Sequence, residues 1–185
     1  MMMLMTAFRV SLLMLVLCGL VYPIVMTGVG QAFFPSQANG SLLHAKNGQL
    51  IGSKLIGQSF KGAQYFHSRP AANSYDASNS GGANLGASSQ KLITRIQGDL
   101  KTYQTETITE RAIPVDAVTA SASSLDPHIS LDNALLQATR VAKARGISLA
   151  KLKSNIMNSA ESPLFAEFPY INVLTLNIEL DKATP

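Results

Sequence analysis

The stretch Val10-Ser11-Leu12-Leu13-Met14-Leu15-Val16-Leu17-Cys18-Gly19-Leu20-Val21-Tyr22-Pro23-Ile24-Val25-Met26-Thr27-Gly28-Val29-Gly30 holds no charged residue, and none follows until Lys46. As a helix at ~1.5 Å per residue, Val10 to Gly30 spans roughly 32 Å, close to the hydrocarbon thickness of a bilayer. An amphipathic helix of a water-soluble domain would carry a polar face. Here only Ser11, Tyr22 and Thr27 interrupt the apolar surface. The run therefore reads as a transmembrane anchor. Pro23 is accommodated as a kink, which membrane helices tolerate.

A retained signal-anchor helix is the leading reading of this run. A cleaved secretory signal competes, because Arg9 precedes the run as a basic residue does in a signal peptide. Against cleavage, the run is long, and Gly28-Val29-Gly30 is the nearest small-x-small triplet. A lipoprotein signal through Cys18 fits less well, since Leu17 stands where a small residue is needed and the thiol lies mid-run. As a small apolar residue, Cys18 needs no further role. Arg9 and the amino terminus place the N-terminus in the cytoplasm by the positive-inside tendency. The sequence thus divides into a cytoplasmic N-terminus plus anchor, 1–34, and a domain, 35–185, outside the membrane.

The whole chain carries a formal net charge of +4. That is too mild for a nucleic-acid surface, and no Lys/Arg run or interleaving of basic and aromatic residues occurs. Cys18 is the single cysteine, so residues 35–185 hold neither a disulfide nor a thiolate metal site. About 150 residues suffice for one domain with a modest core.

Beyond the anchor, Phe33 and Phe34 sit as interfacial aromatics and Pro35 ends the helix. Gln49 to Phe60 reads as strand, with Gly52 and Gly57 marking bulges or close backbone approach. Ala71 to Ser89 is a long polar loop. Lys91 to Thr105 reads as a helix capped by Ser88 or Ser89, with Leu92, Ile96 and Leu100 on one face. Ser130 to Arg145 is the clearest helix, with Ser130 at the N-cap, Leu131, Leu135, Ala138 and Ala142 on one face, and Gly146 after the last turn. A second helix runs from Ser148 to about Ser159 and forms a hairpin with it. Tyr170 to Leu180 alternates apolar Leu174, Leu176, Ile178 and Leu180 with Thr175, Asn177 and Glu179, the period of a half-buried strand. No internal repeat is evident. The fold class is a single N-terminal transmembrane helix plus one α+β extracytoplasmic domain.

Four polar clusters could carry chemistry. They are Tyr65-Phe66-His67-Ser68-Arg69-Pro70, Ser80-Gly81-Gly82-Ala83-Asn84-Leu85-Gly86, Asp116 with Thr119, Ser121 and Ser123, and Leu125-Asp126-Pro127-His128-Ile129-Ser130. Ser121 or Ser123 with His128 invites a membrane-anchored hydrolase, although no G-x-S-x-G elbow is present. Asp126-Pro127 as a turn and Ser130 as a helix cap account for the same residues without catalysis, so no catalytic residue is assigned. His44, His67 and His128 lack ligand spacing, so no metal is expected. Arg69 suits a carboxylate or phosphate partner, with a structural ion pair the commoner use. Gly19 and Gly28, small residues in the anchor, permit close approach of other membrane helices.

These clusters, with Tyr22-Pro23, Gly52 to Phe60, Ala142 to Gly146 and Asn172 to Asn177, recur in one order. By them the chain resembles the C subunit of the Kdp-type potassium-transporting ATPase along nearly its whole length. It departs from the usual pattern at Ala83, Ala87 and Ser124, where serine, proline and glycine are frequent. The resemblance implies a non-catalytic accessory subunit of an ATP-driven potassium import complex in the bacterial inner membrane. Its implied partners are a channel-like potassium-binding subunit, a P-type ATPase subunit, a small single-helix subunit and the lipid bilayer. It implies a role in assembly and as a catalytic chaperone that raises the ATPase subunit's affinity for ATP, and likens Ser80, Gly81, Gly82 and Asn84 to a nucleotide-contacting signature. ATP and potassium belong to the complex. Arg69, Asp126, His128, Gly19 and Gly28 are the candidate contacts to partners. A periplasmic adaptor that caps a channel entrance remains the alternative to the chaperone role.

Overall fold

A computed structural model describes residues 1–45, 47–106, 112–162, 164 and 168–183. The chain forms two compact units, Met1–Ser53 and Lys54–Pro185.

The first unit is led by one continuous helix, Met2–Phe33, long and apolar enough to cross a membrane. It comprises α1 (Met2–Val16), a π-helical turn (Leu17–Val21) and α2 (Tyr22–Phe33), and neither α1 nor α2 buries a residue. The π turn answers to Pro23. A proline ring presses on the carbonyl four residues back, here Gly19, and widening the preceding turn relieves the clash. The Tyr22 N–H accordingly reaches Leu17 O, five residues back. Pro35 stops the helix as the sequence requires and opens the short α3 (Pro35–Ala38), which a Gln31–Asn39 side-chain pair ties back to α2. A hairpin of β1 (Leu42–His44) and β2 (Leu50–Ser53) completes this unit. Strand expected through Phe60 thus ends at Ser53. Gly57 shows why: its N–H donates to Leu125 O at 2.7 Å, and a Cβ there would lie 2.7 Å from Asp126 O. The glycine meets another backbone, as expected, but as part of an irregular segment.

The second unit contains α4 (Gln90–Glu106), α5 (Val115–Val118), β3 (His128–Ser130), α6 (Leu131–Arg145), α7 (Leu149–Asn158), β4 (Tyr170–Asn172) and α8 (Val173–Ala183). Helix α6 begins as predicted: Ser130 Oγ accepts from Asn133 N–H at 3.1 Å, and Gly146 closes it at φ +64°. Its buried face keeps the expected Ala138 and Ala142 and shifts at its N-terminal end. Ala134, Ala138 and Val141 are fully buried, whereas Leu131 and Leu135 lie at the margin. Helix α7 folds back on α6 through Gly146-Ile147-Ser148 and buries Leu152 and Ile156.

The predicted strand Tyr170 to Leu180 is a strand only to Asn172 and a helix thereafter. Val173, Leu176, Asn177 and Leu180 are buried, the spacing of a helix face. Leucine at every second position satisfied both periods. The deciding signal is Asn172, whose Oδ1 accepts from Thr175 N–H at 3.1 Å as an N-cap does.

A short internal repeat, absent from the sequence reading, organises this unit. Pro127-His128-Ile129-Ser130 and Pro169-Tyr170-Ile171-Asn172 are each proline, aromatic ring, isoleucine and helix cap. They pair antiparallel with Ile129 opposite Ile171, and each runs directly into a helix. The pairing is reciprocal at its ends: Leu131 N–H donates to Pro169 O and Val173 N–H to Pro127 O. The two isoleucines join Phe66, Val141, Leu152, Ile156, Leu176 and Leu180 in the core.

Candidate functional site

Three of the four polar clusters converge at Arg69. Its Nη1 donates to Asp126 Oδ2 at 3.0 Å, its Nε to Thr119 O at 3.3 Å and its Nη2 to Ala120 O at 3.4 Å. Asp126 is held from the other side by His128. The backbone N–H of His128 donates to Asp126 Oδ1 at 3.0 Å, and its Nδ1 lies 3.3 Å from the same oxygen. Burial pushes the Asp126 carboxyl up, but the His128 side-chain and backbone hydrogen bonds and the Arg69 charge outweigh it, so its pKa is lowered. The His128 ring meets Tyr170 edge-on at 4.7 Å. Arg69, Asp126 and His128 are thus adjacent side chains, and they line a common cavity of about 340 Å³.

The Tyr75 hydroxyl donates to Arg69 O, and burial pushes its pKa up to about 12. Asp116, part of the third cluster, is the buttress of α6. It accepts from Ser130 N–H and Ser130 Oγ at 2.8 Å and from the Asn133 amide at 3.0 Å.

The loop of Ser80, Gly81, Gly82 and Asn84 packs on residues 121–124. Gly81 N–H and Ser80 Oγ both donate to Ser123 O, and Ser124 Oγ donates to Gly81 O. A Cβ on Gly82 would lie 2.9 Å from Ala122 O, so glycine is required there by close backbone approach. Asn84 adopts φ +50° and lines, with Arg95, a neighbouring cavity of about 440 Å³. The Gly81 N–H that could have met an anion is spent on protein.

The hydrolase geometry is not assembled. Ser121 Oγ lies 3.2 Å from Ser123 Oγ and accepts from Asp126 N–H, Ser123 Oγ accepts from Leu125 N–H, and neither bonds His128. His67 directs its Nε2 to Gly62 O. Among the described residues no three of His, Cys, Asp and Glu are placed to hold a metal ion. Gly19 and Gly28 lie in the other unit, on the apolar helix.

Sequence reasoning missed a set of buried amides. Asn177 takes Phe66 N–H on Oδ1 and gives Nδ2 to Phe66 O, both at 2.9 Å. Gln137 does the same for His67, at 2.7 and 3.0 Å, and also donates to Asn133 Oδ1. Arg140 caps Ala63 O and Tyr65 O, while Arg145 bonds Gln64 O and Asp181 and lies over the Tyr65 ring. The available signal was Asn133 and Gln137 four apart within an otherwise apolar helix face. Together they strap the segment 63–67, which leads into Arg69, to α6 and α8.

The family model described as KdpC, K+-transporting ATPase, c chain, matches residues 4–182. The chain belongs to this family. Relatives named potassium-transporting ATPase KdpC subunit include one from Koribacter versatilis, 47% identical over 98% of this chain and 95% of the relative. Another, from Caulobacter sp. K31, is 48% identical over 92% of this chain and 88% of the relative. A third, from Mycobacterium bovis, is 45% identical over 97% of each. As a member of this family it is a subunit of a K+-transporting ATPase.

Proposed function

We propose that this chain is the accessory subunit that assembles and stabilises an ATP-driven potassium import complex. The observation that carries the reading is the helix Met2–Phe33, whose apolar exterior is wholly uncovered within the chain. Such a surface requires lipid or other membrane helices. With Arg9 on the cytoplasmic side, residues 35–185 stand outside the inner membrane, against the channel-like subunit and its ion entrance. The P-type ATPase subunit and the small single-helix subunit complete the assembly.

In this topology the chain does not touch cytoplasmic ATP. A catalytic-chaperone effect on ATP affinity then travels through the membrane helix as a coupling between two states of the complex. The internal use of Gly81 N–H favours this over direct contact by the Ser80–Asn84 loop.

Topology tests the reading. Ser78→Cys in a Cys18→Ala background places one exposed thiol in the 71–89 loop. A membrane-impermeant thiol reagent is expected to label it in cells whose inner membrane is intact. Labelling only after the inner membrane is opened overturns this topology and makes direct nucleotide contact the leading role.

A further inference from the structure

A cavity of about 510 Å³ opens between α5, the start of α6 and the Phe168-Pro169 approach to β4. Its rim is apolar and uncovered: Val115 is 76% exposed and Phe168 68%. Among the described residues its polar wall is unbalanced in charge. Arg69 reaches the cavity, but its charge is paired with Asp126. Among the described residues, Asp116 accepts hydrogen bonds only from the neutral groups of Ser130 and Asn133. Asp132, exposed in the first turn of α6, makes no ion pair with a described residue. Two negative charges thus face a pocket walled by an aromatic ring and prolines.

We propose that this cavity receives a lysine or arginine side chain from an extracytoplasmic segment of a partner subunit. The alkyl stem would lie along Val115 and Phe168 while its cation meets Asp116 and Asp132. A cation beside the exposed Phe168 ring gains further from the ring's quadrupole. An anionic lipid headgroup is disfavoured by the same two carboxylates.

The proposal rests on the accessory-subunit reading, and its test separates the two. The full chain is expressed with its partner subunits, with photoreactive benzoylphenylalanine in place of Phe168, and the detergent-extracted complex is irradiated. An adduct on a partner-subunit peptide that contains lysine or arginine is expected. Asp132→Lys should abolish it, and Phe168→Ala should lower retention of the chain severalfold, more so at high salt. Asp132→Asn keeps the surface neutral and should give an intermediate loss, with unchanged circular dichroism showing an intact fold. An adduct on a second copy or on lipid, or no adduct in a complex that retains the chain, overturns the proposal. Failure of the unmodified chain to co-purify with any partner instead overturns the accessory-subunit reading.

Discussion

Asp126 is the residue at which charge and fold meet. Its carboxylate is the common acceptor of Arg69 and His128, and the net effect is a pKa held below the ordinary value of about 3.9. A carboxylate lowered in the folded state contributes stability that is complete above its unfolded value and is lost as pH falls through the folded one. Thermal unfolding of the full chain in detergent should therefore show a melting temperature that declines on acidification below about pH 4. Asp126→Asn should remove part of that decline, since its amide does not titrate. An unchanged acid limb in this variant would show that other carboxylates govern it. Arg69→Met should cost about 1–3 kcal/mol at neutral pH, because it leaves Asp126 with His128 alone and removes the guanidinium donor from the Thr119 and Ala120 carbonyls together.

At the scale of elements, α8 is the sharpest contrast between pattern and packing. As a strand, Asn177 and Glu179 would share one exposed face. As a helix, Asn177 is buried beneath Phe66 and Glu179 is exposed. Asn177→Ala strands a buried N–H and a buried C=O, so it should destabilise by at least about 2 kcal/mol. Glu179→Ala should stay within about 0.5 kcal/mol. Denaturant unfolding of both variants checks this, and equal effects would contradict the helix. What the sequence disclosed follows from how local each signal is. The membrane helix, the Ser130 cap and the Gly146 stop are written in neighbouring residues, and they were legible. The Asn177–Phe66 and Gln137–His67 straps join residues far apart in the chain, which no periodicity encodes. The proline–ring–isoleucine–cap repeat was present in the letters, but His128 for Tyr170 and Ser130 for Asn172 conceal it until the strands pair. Arg69, Asp126 and His128 were each visible as unusual residues, while their adjacency needed the folded chain.

At the scale of the whole molecule, the two units answer to different solvents. Lys54–Pro185 buries its own core, whereas α1 and α2 bury nothing and must find their neighbours elsewhere. Gly19 and Gly28 are the places where a neighbour can come closest. A Cβ on Gly28 meets no atom within 4 Å, and one on Gly19 meets only Leu15 Cδ1 at 4.0 Å. Neither glycine is demanded by the chain's own packing, and neither has a positive φ. Gly28→Leu should consequently leave membrane insertion and the fold of Lys54–Pro185 unaffected. If a partner helix packs at this position, the larger side chain pushes it away and forfeits close van der Waals contact. The fraction of chain that co-purifies with the complex should then fall severalfold, with Gly28→Ala giving a smaller loss. Equal incorporation of Gly28→Leu and the parent chain would place this face toward lipid, leaving assembly to the surface of Lys54–Pro185.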